Sequence, residues 1–262
     1  MSRIKLFIEY KGTKYSGWQV QQNSKTIQGK LLEIAKNIFK NQPVDIQGSG
    51  RTDSGVHAIC QIAHIDVITD LNPAIIKMRF NDELPADISI IKAEIVSSKF
   101  HARHDAISRS YIYQLSRRRT AFGKPFVWWI KDELNFAKMK RAAALFVGMH
   151  DYASFSDTDP HEKSTKVLIE DVQLKEEGDL ILIRIIGSHF LWKMVRRMVG
   201  VLAEIGRENL VEKDIKYFLQ HHSPTPAKFT APPSGLFLER VIYKGEKHNS
   251  EFNSNIVIES NN

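Results

Sequence analysis

The hydrophobic period switches repeatedly within the first hundred residues, and that switching limits the chain to folds that mix strands with helices. Residues 3–10 alternate, with Ile4, Leu6, Ile8 and Tyr10 on one face and Lys5 and Glu9 on the other, as a half-buried strand does. Ile27, Leu31, Ile34 and Ile38 then recur at helical spacing over 26–40, with Thr26 placed to cap the start. Residues 44–47 and 61–67 read as strands flanking a glycine-rich stretch, Asn72–Pro73 as a helix start, and Ile88–Val96 as a further strand. The second half has a similar order without a sequence repeat. A strand is expected at Tyr111–Leu115, a helix at Phe136–Val147 ended by Gly148, and strands at Val167–Leu174 and Leu180–Ile186. Phe190, Met194, Met198, Val201 and Ile205 mark a long amphipathic helix stopped by Gly206; a short helix around Glu212–Gln220 and a last strand at Leu236–Tyr243 follow. The pattern predicts an α+β fold, with a largely antiparallel sheet and helices packed on it. At 262 residues there is room for one large domain or two modest ones. The Asn- and Ser-rich stretch from Glu246 is expected to be poorly ordered.

Composition removes several classes. The chain is 42% hydrophobic and 26% charged, ordinary for a globular domain. No apolar run approaches the ~20 residues of a membrane span. MSRIKLFIEY lacks the apolar core of a signal peptide. Cys60 is the only cysteine, so no intrachain disulfide and no cysteine metal cluster can form, and the cytoplasm is the expected compartment. The net charge of +7 has a distribution that matters more than its size. Arg103, Arg109, Arg117, Arg118, Arg119 and Lys124 interleave with Tyr111, Tyr113 and Phe122, and Lys193, Arg196 and Arg197 gather beside Trp192. Cations for phosphates and aromatic faces for unstacked bases suit RNA better than duplex DNA.

The densest chemistry lies in GSGRTDSGVH at 48–57. As a phosphate cradle it lacks both the third glycine of a dinucleotide fingerprint and the GK[ST] ending of a P-loop. Asp53 with His57, or His101 with His104, are conceivable metal ligands, but no HExxH or DxDxDG spacing is present. A third reading makes Asp53 a nucleophile or base. Arg51, two residues away on the same face of an extended segment, would keep its carboxylate ionised and oriented. A purely structural Arg–Asp pair fixing a tight loop accounts for this stretch equally well.

The rest of the chain bears on that choice. GSGRTDSGVHA resembles the catalytic motif of the tRNA pseudouridine synthases of the TruA family. In the same order, YKGTKYSGWQ (10–19), LPADI (84–88), FHARHDAISRSYIY (100–113), FVGMHDYASF (146–155), FLWKMVRRMVG (190–200) and APPSGLFL (231–238) resemble further segments of that family, so that the likeness covers residues 3–243. It implies a pseudouridine synthase fold of two fused, ferredoxin-like α+β subdomains with the active cleft between them. They would divide here as 1–105 with the catalytic loop and 106–245 completing the RNA-binding cleft, leaving 246–262 as a tail. It implies isomerisation of uridine to pseudouridine at tRNA positions 38, 39 and 40, without cofactor or metal, by a homodimer whose tRNA touches both subunits.

By the same resemblance Asp53 is the catalytic aspartate. Whether it attacks C1′, adds to the base or abstracts the C2′ proton is left open, and each route wants an ionised carboxylate in a dry pocket. Tyr111 matches the tyrosine that stacks on the target uracil, its alternative being a core strand aromatic. Arg196 matches the arginine that pairs with the carboxylate, and adjacent Arg197 reads as a solvated helix-face cation. Arg51 matches the arginine that helps extrude the nucleotide, since a stem uridine must be flipped. Leu236 is a pocket wall or a plain core leucine. His57, Lys11 and Arg103 are weaker RNA contacts, as are Trp18 and Gln19, whose alternative is only to buttress the loop, and Arg117–Arg119 is a solvated basic surface for phosphates. The chain departs from the family pattern at Ser49 and Ser54 (alanines), His104 and Asp105 (Phe-Ser), Ser156 (arginine) and Arg197 (asparagine).

Overall fold

The alternation at the start of the chain becomes strand β1 (Ser2–Tyr10), whose Ile4, Leu6 and Ile8 are fully buried. Each such side chain contributes about 1.5–3 kcal/mol by leaving water. The structure is a computed structural model and describes residues 1–40, 42–158, 164–256 and 258. The chain divides into two compact units, Met1–Ile107 with Phe237–His248, and Ser108–Leu236 with Asn249–Asn262.

In the first unit β1 is followed by α1 (Ile27–Ile38), β2 (Ile46–Gly48), β3 (His57–Val67), α2 (Pro73–Glu83) and β4 (Ile88–Val96). Both helices begin where side chains cap them. The Thr26 hydroxyl accepts the Gly29 N–H, and the Asn72 carbonyl oxygen accepts the Ile75 N–H with Pro73 at the first helical position. The sheet is antiparallel in the order β4-β1-β3-β2, the ferredoxin-like arrangement of two βαβ halves.

The second unit begins with β5 (Ala106–Ser116), β6 (Trp128–Trp129), α3 (Phe136–Ala143), β7 (Gly148–Asp151), β8 (Lys166–Glu177) and β9 (Leu180–Gly187). Then come α4 (Met194–Gly206), α5 (Glu212–Gln220) and the short α6 (Thr225–Lys228). Its strands run β5-β9-β8-β7 with every neighbour antiparallel, while β6 adds two residues parallel to β5. The expected helix at 136–147 is shorter. It tightens into a 3-10 turn at Ala144–Phe146, and Gly148, at φ +114, opens β7. The helix expected from Phe190 begins only at Met194, because Lys193 sits in the left-handed region at φ +62. Nor is α4 amphipathic in place: twelve of its residues are buried, Arg197 among them.

Two features at the end of the chain differ from the expected division. The last strand, β10 (Leu236–Tyr243), belongs to the first unit from Phe237 onward. There it runs parallel to β3, with Phe237 opposite His57, and the Tyr243 hydroxyl donates to the Ala102 carbonyl at 2.7 Å. The stretch after it is not loose among the described residues. Phe252, Ile256 and Ile258 pack on Val127, Leu180 and Leu182. The fully buried Arg184 donates to the Asn249 carbonyl at 2.6 Å and lies over the Phe252 ring. The Asn255 N–H donates to Gln114 at 2.7 Å, and Glu177 accepts from Ser254. Asn and Ser supply backbone and side-chain bonds here, and three apolar residues suffice to seat the segment. Residues 257 and 259–262 lie outside the described residues.

Candidate active site

The loop from Gly48 to Val56 is fixed by its neighbours rather than by its own sequence. Thr52 is buried, its hydroxyl 2.8 Å from the Tyr10 hydroxyl, and its carbonyl accepts the Trp18 N–H at 3.1 Å. Two residues on, the Tyr15 carbonyl accepts both the Gly55 N–H and the Ser54 hydroxyl, each at 3.2 Å. Between these anchors the Val56 N–H returns to the Asp53 carbonyl at 3.1 Å with Gly55 at φ +80, the geometry of a type II turn. Asp53 is half-buried at the head of that turn, and Arg51 is exposed. The segment 10–18 is therefore the mount of the loop.

Trp18 is 1% exposed and fills the space beside Gly48, where a Cβ would sit 2.6 Å from the indole. Of the two roles that the sequence leaves to it, its burial fits the buttress. Gly50 is different: a Cβ there meets nothing within 4 Å, so this part of the loop is open on its outer side. Ser49, one of the departures, is buried and donates to Gln61 Oε1 at 2.6 Å, while Gln61 Nε2 donates to the Gly50 carbonyl at 3.1 Å. The hydroxyl is absorbed by a fully buried glutamine that the sequence reading does not single out. Its signal is weak, a lone Gln inside an apolar strand.

His57 is turned into the interior rather than toward solvent. It is 1% exposed, its Nδ1 accepts the Gly12 N–H at 3.1 Å, and its ring stacks on Phe237 at 4.7 Å. Lys11 is half-buried and Arg103 exposed. The departures His104 and Asp105 sit in a local knot in which Asp105 accepts the His101 N–H at 2.8 Å and His101 Nδ1 accepts the Arg103 and His104 N–H groups. Burial, then the cations of Arg3 and His101, push the neighbouring buried His64 down to about 4, and its Nδ1 accepts the Ala102 N–H at 3.2 Å.

In the second unit, β5 separates two tyrosines by role. Tyr113 is fully buried, donates to the Pro232 carbonyl at 2.7 Å, and has its hydroxyl pushed well above the usual range by burial. Tyr111, on the same face of the strand, is only half-buried, its ring meeting the Phe190 edge at 5.1 Å. Tyr113 is the core aromatic, and Tyr111 keeps an accessible face. Arg196 is half-buried in the first turn of α4, its Nε donating to the Ala231 carbonyl at 2.7 Å. Leu236 is 5% exposed.

Arg197 corrects the sequence reading. Its side chain is 6% exposed and its guanidinium is bound to Asp157, which also accepts from Lys193 at 2.7 Å. The fold buries a cation that the pattern places in solvent. Likewise, Arg117 pairs with Glu176 and Arg118 with Asp179 at 2.8 Å, so two of the three arginines in that run are already compensated.

A family model described as tRNA pseudouridine synthase matches residues 6–105 and 142–244. The chain belongs to the tRNA pseudouridine synthase family. The matched segments contain Arg51, Asp53, Arg196 and Leu236, and Tyr111 falls in the interval that the model leaves out. Curated relatives match over most of the chain. The chain is 39% identical over 247 residues to the tRNA pseudouridine synthase A of Rhodopseudomonas palustris, covering 93% of this chain and all of the relative. It is 37% identical over 245 residues to tRNA pseudouridine synthase A 2 of Clostridium perfringens, with the same coverage. It is 37% identical over 242 residues to the tRNA pseudouridine synthase A of Halalkalibacterium halodurans, covering 92% of each. In this member of the family the fold is the α+β arrangement described above, with its largely antiparallel strands.

Proposed function

We propose that this member of the family isomerises uridine to pseudouridine at positions 38, 39 and 40 of the tRNA anticodon stem-loop, with Asp53 as the catalytic carboxylate. The observation that carries the reading is the placement of Asp53. It is a half-buried carboxylate in a loop anchored on both sides, inside a segment that the family model matches.

The reaction is an isomerisation. The C1′–N1 bond breaks, the uracil turns while held, C5 bonds to C1′, C5 loses its proton and N1 gains one. Atoms and electrons balance within the substrate. An ionised carboxylate serves any of three routes: attack at C1′, addition to the base, or removal of the C2′ proton. The rigid mount of the loop supplies what such a group needs, a position fixed before the substrate arrives.

The target uridine leaves its stack before it reaches Asp53. Arg51, exposed beside the open face at Gly50, contacts the RNA and assists that extrusion. Tyr111 offers its accessible face to the uracil. Arg196, whose Nε donates to the Ala231 carbonyl, is the arginine that pairs with the catalytic carboxylate, and Leu236 excludes water. The enzyme acts as a homodimer in the cytoplasm. Among the described residues no helix is long and apolar enough to cross a membrane.

Mapping by carbodiimide modification and primer extension tests the reading on tRNA that lacks pseudouridine. New stops at positions 38 to 40 are expected after incubation with the enzyme. Stops elsewhere in tRNA, or in ribosomal RNA alone, would overturn the positional assignment.

A further inference from the structure

The start of α4 is electrostatically awkward. The helix has no side-chain cap and no acidic residue in its first turn, and Lys193, Arg196 and Arg197 crowd three cations at its positive end. The residue before the helix, Lys193, is also held at φ +62, a region that a lysine rarely occupies. Something outside the helix must compensate. Asp157, from the segment that follows the 3-10 turn Ala153–Phe155, reaches this end and accepts from Lys193 Nζ at 2.7 Å and from Arg197. One carboxylate thus joins residues four apart on either side of Arg196. Burial works to raise the Asp157 pKa, and the hydrogen bonds from Lys193 and Arg197 more than offset it, so the carboxylate stays ionised.

We infer that Asp157 is a positioning residue: through Lys193 and Arg197 it fixes the first turn of α4 and so the direction in which Arg196 is presented. The inference rests on the proposed role of Arg196. Two anchors then act on that arginine. Ala231 holds its Nε, and Asp157 holds the turn from which its side chain departs. A clamp of this kind affects the chemical step more than tRNA binding, because phosphate contacts elsewhere carry most of the affinity.

The test uses the full-length enzyme with Asp157→Asn, Asp157→Glu and Arg196→Lys, reading kcat, KM for tRNA, tRNA binding on filters and the melting temperature. Asp157→Asn is expected to lower kcat on the order of tenfold to a hundredfold, with KM and binding within about twofold. Asp157→Glu should recover most of that loss. An unchanged kcat, a rise in KM alone, or a glutamate variant no better than the asparagine one would overturn the inference. If Asp157→Asn melts below the assay temperature, Lys193→Met removes one arm of the clamp and carries the same expectations. Arg196→Lys separates the two levels. If it retains wild-type kcat, the reading of Arg196 is wrong; if it fails while Asp157→Asn does not, only the clamp is wrong.

Discussion

Arg196 and Ala231 bind each other twice. The Arg196 side chain donates to the Ala231 carbonyl at 2.7 Å, and the Ala231 N–H donates to the Arg196 carbonyl at 3.1 Å. The segment leading to Ala231 runs so close to α4 that a Cβ on Gly200 would stand 1.6 Å from the Phe229 carbonyl oxygen. Gly200→Ala should therefore push residues 229–231 off the helix. A stability loss of about 1–3 kcal/mol is expected in urea unfolding. In kinetics at permissive temperature, kcat should fall more than tRNA binding. A variant with unchanged stability and kcat would show that this contact does not govern Arg196.

The glycines of the loop are predicted to differ. Gly48→Ala drives a methyl into the Trp18 indole, at 2.6 Å, and should cost about 1–3 kcal/mol. Gly50→Ala meets nothing within 4 Å and should stay within about 0.5 kcal/mol of wild type. Thermal unfolding of both variants distinguishes them. If Gly50→Ala lowers activity while keeping the fold, the open face at Gly50 is used by the substrate.

Local pattern made most of the elements legible and few of the long-range pairings. Thr26 and Asn72 announce their helices because a cap is a contact over three residues. The strands β6 and β7 and the helix α6 are too short to show a period. The start of α4 misleads because Phe190 keeps the helical spacing while Lys193 turns the backbone left-handed. Arg197 is read as solvated because its partner, Asp157, is forty residues away. The seating of the C-terminal segment likewise depends on Arg184 and Gln114, polar residues within strands that give no local hint of what they hold. At the site, the motif points to Asp53 and Arg51, but the parts that hold the loop, Tyr10 against Thr52 and Gln61 against Ser49, become visible only in three dimensions.

His64 should make folding sensitive to mild acid. Its folded value of about 4 lies below the ordinary 6.5, so the unfolded chain binds the proton first as pH falls. Stability from this group is complete above about 6.5 and is lost progressively down to about 4. Urea midpoints measured from about pH 7 to about pH 4.5 should fall less steeply for His64→Asn, which keeps an acceptor for the Ala102 N–H without titrating. Parallel slopes would contradict the assignment.

Removing residues 249–262 should uncover Val127, Leu180 and Leu182 and take the Asn249 carbonyl from the buried Arg184. A loss of about 2–5 kcal/mol is expected, together with increased binding of a hydrophobic dye. Phe252→Ala should give a smaller shift in the same direction. An unchanged melting temperature after truncation would mean that the segment covers the sheet without stabilising it.

The proposed role of Asp53 in the isomerisation is open to direct measurement. Tritium release from C5-labelled uridine in tRNA lacking pseudouridine measures that step directly, for wild type and for Asp53→Asn. Wild type is expected to release tritium, and Asp53→Asn to lose release almost completely while still binding tRNA. Release by Asp53→Asn at the wild-type rate, or none by wild type on any tRNA, would contradict the proposed role.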